Sequence, residues 1–275
     1  MDREKYIFDG LERHYEEFKK CYPDKTLFYL AIQGSQNYDL DIYTNEYKSD
    51  IDTKAIVIPS LEEIVMNKKP ISTTHILPNN EHLDIKDIRL MFDNFKKQNI
   101  NFLEILFSKY WIAGDSFDDL VYELRKNKEI IAHYNTNQAL RCMAGMSMEK
   151  KKALTHPYPT IIDKIEKYGY DGKQLHHIIR MYNFITCYAL NGTFEESLTF
   201  FIPGQKEEMM NAKLNKYSLE EALKKAEHYD YLTKYIKDIN LKEKDEINQD
   251  AVNILYEIQY EAIKRNLKEE LQNGE

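Results

Sequence analysis

The chain has 275 residues, a formal net charge of −8, and a composition that is 43% hydrophobic and 31% charged. It is therefore long enough to bury a core and too apolar to be a disordered chain. The acidic balance weighs against tight nonspecific binding to a nucleic-acid backbone, although a local basic groove stays open.

The charged start Met1-Asp2-Arg3-Glu4-Lys5 has no apolar stretch behind it, so no leader is expected. No run approaches the roughly 18 apolar residues of a membrane span, and the cytoplasm is the expected compartment. Residues 3–21 place Tyr6, Ile7, Leu11, Tyr15 and Phe18 near helical spacing, with charges between them. Residues 27–33 read as a strand and 36–49 as a polar loop rich in Tyr and Asn. The stretch Ile51 to Ile58 reads as a second strand, β-branched at Ile56-Val57-Ile58 and closed by Pro59-Ser60. Ser60 and Glu63 have the spacing of a helix N-cap with its reciprocal partner.

Residues 71–86 predict further strands interrupted at Pro78-Asn79-Asn80. From Asp87 a helix follows, with Ile88, Met91, Phe92 and Phe95 on one face, and Asn101 to Phe107 reads as a shorter one. After about Ser116 the pattern turns helical, with candidates at 117–131, 134–153, 172–191, 218–237 and 247–271. Pro157-Tyr158-Pro159 and Ile202-Pro203-Gly204 punctuate them. The expected class is α+β. An N-terminal domain over residues 1–115 carries a mixed sheet flanked by helices, and a helical domain covers 116–275.

Two motifs carry chemistry. Gly34-Ser35 follows the first strand directly. Glycine lets the backbone turn tightly and approach a phosphate, and a hydroxyl with neighbouring N–H groups can hold that phosphate. Asp50-Ile51-Asp52 opens the second strand. Two carboxylates separated by one residue on a strand point to one face, where they can share hard divalent cations. Each motif alone also suits an ordinary turn or a solvated strand edge.

In order and spacing, Gly34-Ser35-Gln36-Asn37-Tyr38-Asp39-Leu40 and Ser49-Asp50-Ile51-Asp52 resemble the RlaP/YcgL-type branch of the DNA-polymerase-β-like nucleotidyltransferases. Gln36-Asn37 and Asp39 stand where familiar members more often carry Arg-Ala and Gly. Leu103-Glu104-Ile105-Leu106-Phe107 is similar to that family's Leu-Glu-Leu-Leu helix. Gly169 to Lys173, continuing to His177 and Arg180, is similar to its Lys-x-x-x-His-x-x-Arg motif, and Thr199 to Gly204 to its Leu-Pro segment. The likeness covers the chain to about residue 225.

The resemblance implies a metal-dependent enzyme that moves a nucleoside monophosphate from an NTP to a hydroxyl and releases pyrophosphate. Asp50 and Asp52 would hold Mg²⁺ or Mn²⁺. A third carboxylate would join the metals or serve as base, with Asp84 the first candidate and Glu81 and Asp87 its rivals. Asp87 also reads as a helix N-cap, since it precedes Ile88 and Met91. Gly34 and Ser35 would bind phosphates. Lys173, His177 and Arg180 fall at i, i+4 and i+7 on one helix face and would support them, although a solvated face fits the same spacing. His176 is an ambiguous neighbour. The acceptor stays open among an RNA end, a protein side chain and a small molecule. A silent nucleotide-binding or regulatory protein and a nucleic-acid-binding module are the alternatives.

Cys21, Cys142 and Cys187 form no CxxC pair and the histidines are scattered, so neither a disulfide framework nor a zinc site is expected. Lys150-Lys151-Lys152 and Lys96-Lys97 read as solvated helix ends, and the acidic stretch through Glu269, Glu270 and Glu275 as an exposed one.

Overall fold

Helix α1 (Arg3–Cys21) buries Ile7, Gly10, Leu11, His14 and Phe18 as one stripe and leaves its charged residues outward. It ends where Pro23 removes a backbone donor. The computed structural model of the chain describes residues 2–190 and 192–273. Strand β1 (Thr26–Gln33) is buried along six of its eight residues. It pairs antiparallel with β2 (Asp52–Ile58). The connection holds a 3₁₀ turn, Ser35–Tyr38, and a loop.

The Ser60–Glu63 box closes as its spacing predicts. Ser60 Oγ accepts the Glu63 N–H at 3.2 Å and Glu63 Oε2 accepts the Ser60 N–H at 3.0 Å. The helix it starts, α2 (Leu61–Val65), is only five residues long. Strands β3 (Ser72–Ile76) and β4 (His82–Asp87) form an antiparallel hairpin, and β4 runs parallel to β2. A short β5 (Trp111–Ala113) adds to β1, so the sheet order is β3-β4-β2-β1-β5.

Asp87 accepts the Arg89 N–H at 2.8 Å and so caps α3 (Ile88–Lys96). The segment predicted as one helix from Asn101 to Phe107 is α4 (Ile100–Leu103) and a 3₁₀ turn, Glu104–Leu106. The segment 117–131 divides at Asn127 into α5 (Asp118–Lys126) and α6 (Lys128–Ala132).

Strand alternation sorts the sheet. Leu30, Ile32, Ala55, Val57, Leu83 and Ile85 meet Ile7, Leu11 and Phe18 of α1 in one core. Fully burying such a side chain contributes about 1.5–3 kcal/mol. The opposite face is packed by α3 and the Glu104–Leu106 turn.

The remaining helices are α7 (Thr136–Ala153), α8 (Ile162–Tyr168), α9 (Gly172–Ala189), α10 (Phe194–Thr199), α11 (Gln205–Lys213), α12 (Leu219–Asn240) and α13 (Gln249–Asn273). The α+β class expected from the sequence is what the structure shows. By compactness the chain divides elsewhere than at 115/116. The first unit runs to Asn135 and regains the chain from Ile247, and the second is Thr136–Glu246. Helices α5 and α6 bury Val121, Leu124 and Ile131, and α13 packs on α3, α5, α6 and β2. A shift to helical composition therefore does not mark a domain edge here. In the second unit α9 is the central helix, packed by α7, α10, α11 and α12. Asn191 and Glu275, ends of two predicted segments, lie outside the described residues.

Candidate functional site

The turn after β1 depends on one glycine. Gly34 has φ 91° and ψ −153°, a region essentially closed to residues with a Cβ. Its N–H donates to Glu104 Oε1 at 2.8 Å. This backbone donor is therefore already engaged, and the next residue, Ser35, is half-buried. Asn37 donates its side-chain amide to the Ile32 carbonyl at 2.8 Å. The buried Gln36 donates to the Asp50 carbonyl at 2.7 Å. The turn is thereby tied to the acidic segment. Arg3 secures its far side through a bidentate pair with Asp41 at 2.9 and 2.6 Å, which holds the guanidinium firmly protonated.

Asp50 is exposed and precedes β2, and Asp52 is its first residue. Between them Ile51 is fully buried. A Cβ on Gly10 of α1 would come within 2.9 Å of the Ile51 side chain, so this glycine lets the helix seat closely beneath the acidic segment.

Asp52 pairs in register with Gln33, and Lys54 with Asp84. Partners in register share a face, so Gln33, Asp52, Lys54 and Asp84 line the face opposite α1. Asp84 accepts from Lys54 Nζ at 2.9 Å, Thr74 Oγ1 at 2.6 Å and Gln33 Nε2 at 3.4 Å. Burial acts to raise its pKa, but the Lys54 ammonium and these hydrogen bonds hold it below the usual carboxylate range. Lys54 also lies 4.9 Å from the centre of the Phe102 ring. Asp52 accepts the His82 N–H at 2.8 Å. Among the described residues, Asp50, Asp52 and Asp84 are not a group whose ligand oxygens all lie within 4.8 Å of one another.

The rivals to Asp84 have other work. Asp87 caps α3 and holds Arg89 through a second pair of bonds. Glu81 is 3% exposed and lies on the α1 side of the sheet. It pairs with Arg13, meets His14 Nε2 at 3.1 Å and accepts the Ile51 N–H at 3.1 Å. The other His14 nitrogen meets Thr53 Oγ1 at 2.8 Å. Burial alone would raise the Glu81 pKa, yet the bonds from His14, Arg13 and Ile51 bring it to about 2.

No family model and no curated protein matches the chain. Among solved structures, the crystal structure of a nucleotidyltransferase-like protein from Exiguobacterium sibiricum is similar over 94% of this chain and 80% of that one, at 12% identity and a TM-score of 0.28. A superposition that loose carries no argument about the chemistry of this chain.

Lys173, His177 and Arg180 belong to α9 in the second unit. Asp171 caps that helix by accepting the Lys173 N–H at 3.1 Å. Lys173 is exposed, His177 half-buried and Arg180 buried. Burial, with His176, Arg180 and Lys173 nearby, pushes the His177 pKa well down. Of the predicted basic face only Lys173 is exposed, and burial opposes protonation of His177. His176 is core. Its Nδ1 meets the Met209 carbonyl at 3.1 Å and burial lowers its pKa to about 3.

Sequence reading passed over Arg3, His14, Gln36 and Lys54 as parts of the site. His14 carried one usable signal. A histidine three positions after Leu11 on an apolar stripe must find a polar partner inside.

Proposed function

We propose that this chain is a metal-dependent nucleotidyltransferase that moves a nucleoside monophosphate from an NTP to a hydroxyl acceptor. The observation that carries the reading is the placement of Asp52 and Asp84 on one face of adjacent parallel strands, beside the Gly34 turn that ends β1. The donor set is carboxylate oxygen, which suits Mg²⁺ or Mn²⁺. Asp50 and Asp52 would hold the ion, with Asp84 as third ligand or as base. When bound, such an ion would offset charge on the phosphates.

The chain's own residues supply the rest. Ser35 would hold the phosphates at the turn. The acceptor hydroxyl oxygen forms a bond to the α-phosphorus while the bond from that phosphorus to the bridging oxygen breaks and pyrophosphate leaves. With Asp84 as base, the hydroxyl proton passes to its carboxylate, which the Lys54 ammonium and its hydrogen bonds hold in the charged form. The reading rests on the first unit alone. The acceptor class is an RNA end, a protein side chain or a small molecule.

One observation favours a second reading, a nucleotide-binding protein without turnover. Asp84 is tied to Lys54 and Thr74, and Asp52 to the His82 N–H. A single experiment separates the two. The protein is incubated with each α-labelled NTP, Mg²⁺ or Mn²⁺, and pools of RNA, protein and small-molecule hydroxyl acceptors, beside an Asp50→Ala/Asp52→Ala variant. The enzyme reading expects label transfer by the wild type alone. Equal inertness of both, with nucleotide binding intact, overturns it in favour of the second.

A further inference from the structure

Away from the acidic face, three side chains of different chemistry converge. Glu17 and Cys21 stand one helical turn apart on α1, and His75 reaches them from β3. Cys21 Sγ lies 3.3 Å from Glu17 Oε1 and 3.8 Å from His75 Nε2, and His75 Nε2 lies 3.4 Å from Glu17 Oε1. Among the described residues this is the group of His, Cys, Asp and Glu side chains whose ligand atoms all fall within 4.8 Å of one another. We propose that Glu17, Cys21 and His75 form a binding site for a divalent transition-metal ion of the zinc class.

Geometry is the first argument. A tetrahedral zinc with ordinary bonds to sulfur, nitrogen and oxygen places its ligand atoms about 3.4–3.6 Å apart. The three observed separations bracket that range, so an ion needs shifts of only a few tenths of an ångström. Donor chemistry is the second. Thiolate, imidazole and carboxylate together suit zinc, whereas Mg²⁺ or Ca²⁺ would want oxygen throughout.

Charge is the third argument. On binding, the Cys21 thiol, which now donates to Glu17, would release its proton to solvent. Thiolate and carboxylate would then balance the two positive charges of the ion, with His75 neutral. Three protein ligands leave one position for water. Access is open, because Cys21 is exposed and the Glu17 and His75 side chains are 19% and 25% exposed. The competing Lys20–Glu17 pair spans 3.5 Å at the surface and offers little resistance.

The site is separate from the acidic one. His75 pairs in register with Leu83, on the α1 side of the sheet, whereas Thr74 pairs with Asp84 on the other. An ion here would clip the end of α1 to the exposed edge strand β3.

Titration of the full, reduced chain with Co²⁺ tests this. One equivalent should give a near-ultraviolet sulfur-to-cobalt charge-transfer band and intense tetrahedral visible bands, both displaced by Zn²⁺. Both should vanish in Cys21→Ser and in His75→Ala, and persist in Asp50→Asn/Asp52→Asn. The absence of the charge-transfer band in the wild type overturns the site, as does its survival in Cys21→Ser or His75→Ala. Should either variant misfold by circular dichroism, Glu17→Gln decides. Weakened Co²⁺ binding supports the site, and unchanged binding overturns it.

Discussion

The Glu81 carboxylate accepts the Ile51 N–H at 3.1 Å, so a buried anion on the α1 side holds the residue between Asp50 and Asp52. Its charge is sustained by His14 and Arg13 against the cost of burial, which brings its pKa from 4.5 to about 2. A group depressed on folding stabilises the fold above its unfolded pKa, and this contribution is lost as pH falls through the folded value. The urea midpoint of the wild type should therefore decline between about pH 4.5 and pH 2. Glu81→Gln should lower stability by about 1–3 kcal/mol at neutral pH and flatten that decline. An unchanged acid slope in the variant would show that Glu81 is not the group responsible.

Asp84 and Lys54 form a second test, since the Lys54 side chain is only 5% exposed. Asp84→Asn leaves a buried ammonium short of its partner, and we expect a loss of about 3 kcal/mol. Lys54→Met in the same chain should recover much of it, which a double-mutant cycle in urea measures. Transfer activity should stay roughly 10²–10⁴-fold down in the double variant if Asp84 is the base. Recovery of activity along with stability would leave Asp84 a structural role only.

How much of this was legible in the sequence follows from the range of each interaction. The Ser60–Glu63 box, the Asp87 cap and the amphipathic α1 are local and could be read directly. Asp52 opens β2, as its sequence position suggests, but Asp50 precedes the strand, so alternation orders Asp52 alone. The pairing of Asp84 with Lys54 depends on β2 and β4 being parallel neighbours, which no single stretch encodes. Glu81 is one residue before β4, and only the sheet shows that it faces α1 and meets His14. Likewise Glu17, Cys21 and His75 look scattered until the β3–β4 hairpin brings the histidine to the helix. The return of α13 to the first unit was hidden for the same reason, because helical periodicity does not say which core a helix joins.

Gly34→Ala isolates the turn. A Cβ there meets no atom closer than Gln36 Oε1 at 3.9 Å, so no clash contributes and the cost is backbone strain at φ 91°. That strain is about 1–3 kcal/mol. We expect a stability loss of this size, with the Glu104 bond to residue 34 weakened and nucleotide binding reduced. A variant of wild-type stability and binding would show that the turn does not require this conformation.

The second unit offers a titration of opposite location and like sign. His176 is buried with its Nδ1 on the Met209 carbonyl, and burial lowers its pKa from 6.5 to about 3. The folded state thus excludes a proton that the unfolded chain accepts, and stability should fall as pH drops from about 6.5 towards 3. The slope is about 1.4 kcal/mol per pH unit for one such group. Between pH 6.5 and 4.5 this decline lies above the Glu81 window, so the two can be separated. His176→Gln, whose amide can still donate to Met209, should remove part of the slope and leave the share due to His177. Nitrogen-15 spectra of the histidine rings should show both imidazoles neutral at pH 6.5 and below while the protein stays folded. A ring that protonates near its ordinary value without unfolding would contradict this account of burial in α9.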